Sequence, residues 1–214
     1  MAELIVVFDF KSPHAYLALE PTLAMLAELN VQAHWQPMLV APQQRPQQPE
    51  AADDRGAAHR WHRAVYRLND LLRYARVRGL ADDCFSDSRL FDCGSGEVAE
   101  AGYQWALQRA PEAGIRLLRQ LFEGFWQGDL DVNDIAAVAD VIADCTGLGF
   151  AEARDEALAE FADAQQSLQE TGIVDVPGYL VGENVYCGRA HLAMVRWHLS
   201  GEQGNPPAWG RYSQ

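Results

Sequence analysis

A chain of 214 residues, 49% apolar and 22% charged, is long enough for one generous globular domain or for one domain carrying a large insertion. No apolar run reaches the length of a membrane-spanning helix, and a net charge of -13 argues against sequence-independent attachment to nucleic acid or anionic lipid. Met1-Ala2-Glu3 lacks the basic region and cleavage site of a signal peptide, so a cytoplasmic setting is expected.

The stretch 4–10 is a short, β-branched apolar run, the pattern of a buried strand. It ends at Lys11-Ser12-Pro13, where Ser12 suits an N-cap and Pro13 the first helical position. Helical periodicity follows through Leu19, Leu23, Leu26 and Leu29, with Pro21 expected to kink the helix. A second strand is predicted over 31–36, so the chain opens strand-helix-strand with a parallel pair. Residues 41–53, rich in proline and glutamine, read as an irregular excursion. Helices are predicted over 57–79, 97–109, 112–127, 133–146 and 150–171. Strand character returns in Tyr179-Leu180-Val181 and Val185-Tyr186-Cys187, joined by a Gly182-Glu183-Asn184 turn as a hairpin. A last helix is predicted over 190–199, and the tail from 201 onward is expected to dock loosely. Strands at both ends with helices between them imply one α/β folding unit: 1–40 and 172–214 build the sheet, and 41–171 is an all-helical insertion.

The four cysteines, Cys84, Cys93, Cys145 and Cys187, form no C-x-x-C pair and have no zinc-site spacing. Plain thiols are the expected state, and a Cys84–Cys93 disulfide is disfavoured in a reducing compartment. His59 and His62 lie three apart on a predicted helix with no third ligand, so no metal is expected.

Two stretches point to chemistry. In Asp9-Phe10-Lys11-Ser12-Pro13-His14-Ala15-Tyr16, Ser12 stands at a helix start, where unpaired N–H groups and the helix dipole stabilise an anion, a thiolate above all. The serine does not ionise, but its hydroxyl can donate to a bound thiolate; the plainer role for it is capping. Lys11 and His14 flank it as auxiliary candidates, one an anion hook and the other an acid or a tuner of the local field. The second stretch, Gly172-Ile173-Val174-Asp175-Val176-Pro177, places a proline just ahead of a strand, where a cis bond is admissible.

These residues carry a resemblance. Phe8-Asp9-Phe10-x-Ser12-Pro13-x-Ala15-Tyr16-Leu17-Ala18 is similar to the opening motif of the 2-hydroxychromene-2-carboxylate isomerase family, kin of the kappa-class glutathione transferases and of DsbA-like oxidoreductases. Ser12-Pro13-His14-Ala15 lies where the oxidoreductases carry Cys-Pro-His-Cys, so both sulfurs are replaced. Arg63-x-x-Tyr66-x-x-x-Asp70-Leu71-x-Arg73-Tyr74-Ala75-x-x-x-Gly79, Leu121-Phe122-x-x-Phe125-Trp126 with Asp129-Leu130, and Gly172-x-x-x-Val176-Pro177 resemble further family motifs in the same order. Together they cover about residues 4–200.

The resemblance implies a thioredoxin-like fold with a large helical insertion, a homodimer, and glutathione as cofactor for a small-molecule substrate. Ser12 would hydrogen-bond the sulfur, the backbone of Val176 beside a cis Pro177 would pair with the peptide as an added strand, and Arg63 would reach a carboxylate. The implied reaction is isomerisation of an aromatic catabolite by reversible thiolate addition. A kappa-class-like transferase and a thioredoxin-fold binding module without turnover are the alternatives. Trp61, Tyr66 and Trp126 are candidates for an aromatic wall, or for ordinary core. Disulfide oxidoreduction is disfavoured, since it needs an attacking and a resolving thiol at the helix start.

The chain also departs from the family pattern. Ala52-Asp53-Asp54-Arg55 stands where an Asn-x-Pro-Pro is usual. Arg189-Ala190-His191 replaces the Asp and Arg that clamp the γ-glutamyl end. Gly178 follows the proline, and Asp175 adds negative charge near the cleft.

Overall fold

A computed structural model describes residues 3–49, 55–81 and 83–207; the Ala52-Asp53-Asp54 stretch and the last part of the tail lie outside them. Strand β1 (Leu4–Phe8) leads through a short junction into helix α1 (Pro13–Leu29), which returns as strand β2 (Ala33–Pro37). After the proline-rich stretch come α2 (Arg55–Val77), α3 (Asp87–Phe91), α4 (Glu97–Arg109), α5 (Gly114–Gln127), α6 (Ile135–Thr146) and α7 (Arg154–Gln169). The chain closes with the hairpin β3 (Gly178–Val181) and β4 (Asn184–Cys187), then α8 (Leu192–Leu199).

The four strands form one sheet in the order β2-β1-β3-β4. β1 runs parallel to β2, with Val6 opposite Trp35, and antiparallel to β3, with Val6 opposite Tyr179. Both ends of the chain therefore contribute to one sheet, and the helices between them form the insertion. β1 is an unbroken apolar run because it is covered on both faces. Leu4, Val6 and Phe8 point into the main core, whereas Val7 enters a smaller cluster with Met38, Leu168, Ile173 and Val176.

The expected elements shift at their ends for local reasons. Asn30 adopts a left-handed conformation (φ 51°) and returns its N–H to the last turn of α1, so β2 begins two residues later than expected. The segments expected at 112–127 and 150–171 each open with a 3-10 turn. α3, a five-residue helix burying only Leu90, was not anticipated, because one buried residue leaves no periodic signal.

Helix α1 runs through Pro21 without interruption. Proline removes the N–H that would meet the carbonyl of Leu17, four residues back. Arg78, just beyond α2, donates to that carbonyl instead and reaches the Tyr16 carbonyl at 3.5 Å. The missing backbone bond is thus supplied from the insertion.

Candidate functional site

The junction between β1 and α1 is held from below by charged groups that are almost wholly buried. Asp9 is 0% exposed, and its carboxylate accepts from the Lys11 backbone N–H (2.7 Å), from Lys11 Nζ (2.9 and 2.7 Å) and from the Val40 N–H (3.0 Å). Both polar groups of the Phe10 backbone are taken by the helical insertion. Its N–H donates to Glu100 Oε1 at 2.6 Å, and its carbonyl accepts from Trp126 Nε1 at 3.0 Å. Gly96, at φ 73°, lets the Lys11 stem pass; a Cβ there would lie 2.8 Å from Lys11 Cδ. Glu100 is fully buried with Oε2 unpartnered. Burial first, and the Asp9 carboxylate second, push its pKa well above the usual carboxylate range, because both disfavour its charged form.

Above this base, Ser12 caps α1. Its Oγ accepts from the Ala15 N–H at 3.2 Å, the N-cap bond expected of a serine there. Ser12 is only 7% exposed, and among the described residues none accepts from its hydroxyl. The side chain of His14, one residue into the helix, makes no hydrogen bond with the described residues. Burial lowers its pKa, and Arg189 lowers it further, against an opposing effect of Asp175; the imidazole is therefore neutral at neutral pH.

The second stretch comes to the same place. The Val176–Pro177 peptide is cis, and the Pro177 carbonyl accepts from the Gly188 N–H at 2.7 Å. The Val176 N–H is already engaged by Asp175 Oδ1 at 2.8 Å.

A cavity of about 920 Å³ joins these parts, with Lys11, Ser12, His14, Asp175 and Val176 on its wall. Pro177 stands directly behind Val176 and is not on the wall. Lys11 lines the cavity, but its ammonium is engaged by Asp9. Arg63 is not brought here: it lies beside a neighbouring shallow depression with His59, His62 and Tyr66. The aromatic candidates stand elsewhere too. Trp126 is a core residue stacked on Tyr16 at 5.8 Å, Tyr66 is 63% exposed, and Trp61 lies against the His62 ring. Tyr74 and Phe91 are the aromatic wall instead.

Sequence reasoning did not find Arg67 and Tyr74 of α2, Cys93, or the strap that follows β2. Ala64, Arg67, Leu68, Leu71 and Tyr74 all line the cavity, and their three- and four-residue spacing places them on one helix face. That stripe is the signal available in the sequence. Arg63 immediately precedes Ala64 at the cavity's end and is not on the wall. Arg189 also lines the cavity, paired with Asp70 at 2.7 Å and stacked over the Tyr74 ring at 3.5 Å. Cys93 and Cys84 are free thiols, and burial raises the pKa of each.

The fold joins a sheet assembled from both chain ends, a helix start capped by Ser12, and a cis Val176–Pro177 peptide whose Val176 shares the cavity with Ser12. Residues 3–200 match the family described as DSBA-like thioredoxin domain. The chain belongs to that family. Solved structures of this fold similar to the chain include 2-hydroxychromene-2-carboxylate isomerase, at 14% identity over 93% of this chain and 95% of that one, TM-score 0.67. A probable DsbA oxidoreductase from Streptomyces coelicolor shares 18% identity over 96% and 92%, TM-score 0.65. The cytosolic disulfide reductase DsbM from Pseudomonas aeruginosa, solved with GSH, shares 20% over 86% and 88%, TM-score 0.55. At these identities the likeness shows the DsbA-like fold and no more. No curated protein sequence matches at a significant level. The DsbA-like fold hosts both isomerases and oxidoreductases, so the chemistry has to be argued from the site.

Proposed function

We propose that this DsbA-like protein is a glutathione-dependent isomerase of an aromatic catabolite resembling 2-hydroxychromene-2-carboxylate. The observation that carries the reading is the hydroxyl of Ser12, whose oxygen caps α1 while its proton has no acceptor among the described residues. It is nearly buried at a helix start, shares a cavity with Val176 beside a cis-proline, and has an alanine at position 15 where a resolving thiol would be needed. A site of this build can steady a guest sulfur anion and has no thiol of its own at positions 12 or 15 with which to exchange disulfides.

The sulfur end of glutathione fits the residues present. Ser12 would donate to the sulfur from the positive end of α1, and the backbone of Val176, ahead of Pro177, would pair with the peptide once Asp175 swings aside. Glutathione, when bound, supplies a thiolate that adds reversibly to a conjugated acid and departs unchanged. His14, neutral and without a partner, stands where it can hold or return a proton. Leu17, Leu71 and Phe91 give the cavity apolar surface, and its size suits a small ligand. The homodimer and the cytoplasmic setting belong to the same proposal.

One observation favours a second reading, a binding module without turnover: the Val176 N–H and the Arg189 guanidinium, two natural anchors for a peptide, are already held by Asp175 and Asp70. Kinetics separate the two. Catalytic amounts of glutathione should accelerate conversion of the hydroxychromene carboxylate and be recovered intact. Stoichiometric consumption with an activated aryl halide would assign a transferase instead. Binding of glutathione in calorimetry with no turnover of either substrate would assign the module.

A further inference from the structure

A count of the charges around the cavity singles out one side chain. Four cationic residues line it: Lys11, Arg67, Arg78 and Arg189. Lys11 is held by Asp9, Arg189 by Asp70, and Arg78 by the backbone carbonyls of Tyr16 and Leu17. Asp70 is further engaged by Arg73 at 2.9 Å. Arg67 makes no hydrogen bond or ion pair with any described residue, and it is the one lining cation of which this is true. Beside it on the wall are the apolar Ala64, Leu68 and Leu71 and the acidic Asp70, and it also borders the neighbouring depression. His14 lines the same cavity as Arg67.

We infer that Arg67 is the specificity residue that receives the carboxylate of a flat, singly charged acid in this cavity. The inference rests on the reading of the cavity as the substrate site, and it moves the carboxylate contact from Arg63 to the residue one turn further along α2. A guanidinium offers a carboxylate two parallel N–H donors, and the apolar surface beside it suits a ring. A second carboxylate would find no other unpaired cation on the described cavity wall and would meet Asp70 or Asp175, which disfavours dianions.

The test uses the full chain and two probes of the same shape, cinnamate and its neutral amide, with binding measured by calorimetry. Wild type should bind the acid at least about tenfold more tightly than the amide. Arg67→Gln should abolish that preference, and Arg60→Gln, which removes one charge from the same helix away from the cavity, should retain it. Arg67 is exposed and unpaired, so Arg67→Gln should melt at the wild-type temperature. Absence of any preference in wild type, its survival in Arg67→Gln, or its equal loss in Arg60→Gln overturns the inference. Titrating glutathione into the same proteins separates this inference from the functional proposal. Acid selectivity lost with Arg67, in a chain that ignores glutathione, upholds the carboxylate site and removes the thiol reading. A glutathione response with selectivity unchanged in Arg67→Gln does the reverse.

Discussion

Ser12 has two separable duties, and substitution distinguishes them. As an N-cap it satisfies the Ala15 N–H, a contribution of about 1 kcal/mol to stability. As a donor to a bound sulfur it would lower a barrier, and removing one well-placed donor costs about 1.4–4 kcal/mol in the transition state. Ser12→Ala should therefore unfold slightly more easily in urea and lose far more turnover than that change explains. Full activity in the mutant would leave Ser12 with capping alone.

Glu100 gives a second prediction at this scale, in pH rather than rate. Its carboxyl titrates higher in the folded protein than in the unfolded chain. Between those two values the folded state binds more protons, so stability is greatest below the ordinary carboxylate pKa and falls as pH rises through the interval. Glu100→Gln keeps an acceptor for the Phe10 N–H and carries no titrating group. Its unfolding free energy should be flatter across that interval, measured by urea melts at a series of pH values. A parallel decline in both proteins would assign the pH dependence elsewhere.

At the scale of elements, the pairing of α1 with the end of α2 turns on Pro21 and Arg78. The carbonyl of Leu17 lacks its helical donor because of Pro21 and takes Arg78 instead. Arg78→Ala should leave a part-buried carbonyl without a partner, at about 1–3 kcal/mol. Pro21→Ala restores the intrahelical N–H, so Arg78→Ala should cost less in that background. A double-mutant cycle reads this directly: strictly additive losses would show that the two residues do not share the Leu17 carbonyl.

For the molecule as a whole, the strap after β2 lines the cavity from Val40 to Gln44 and at Pro46. Asp9 and Gln165 fix its start through the N–H groups of Val40 and Leu39. Arg45 ties its middle to the α3 region, pairing with Asp87 and Asp92 and lying 4.8 Å over the Phe91 ring. These ion pairs are half exposed, so Arg45→Ala should cost about 0–1 kcal/mol in global stability. The strap should nonetheless loosen, because local opening follows local contacts rather than total stability. Limited proteolysis should cut the mutant faster within the strap; unchanged cleavage would show that Arg45 does not hold it.

The fold, and the meeting of the Ser12 helix start with the Val176-Pro177 stretch, were legible in the chain, because each rests on local signals. An apolar β-branched run, a Ser-Pro helix start, helical periodicities and a proline ahead of a strand report themselves within a few residues. The cavity's other wall was not, and Arg63 shows why. Sequence spacing puts Arg63 and Arg67 on one stripe of α2, but only the packing of the helices decides where along that stripe the cavity ends. Trp126 shows the same limit, since an aromatic on an amphipathic helix reads alike whether it faces a ligand or, as here, the Phe10 carbonyl. Charge state was hidden as well: Lys11 looked like a free hook until Asp9, two residues away but folded beneath it, claimed the ammonium.

By itself the sequence determined the helix start at Ser12, the proline-bearing stretch at Val176-Pro177, and the order of elements that a sheet built from both chain ends requires. Only the tertiary structure decided which cations are free, since pairing joins residues as distant as Asp70 and Arg189, and that distance in sequence carries no trace of their contact.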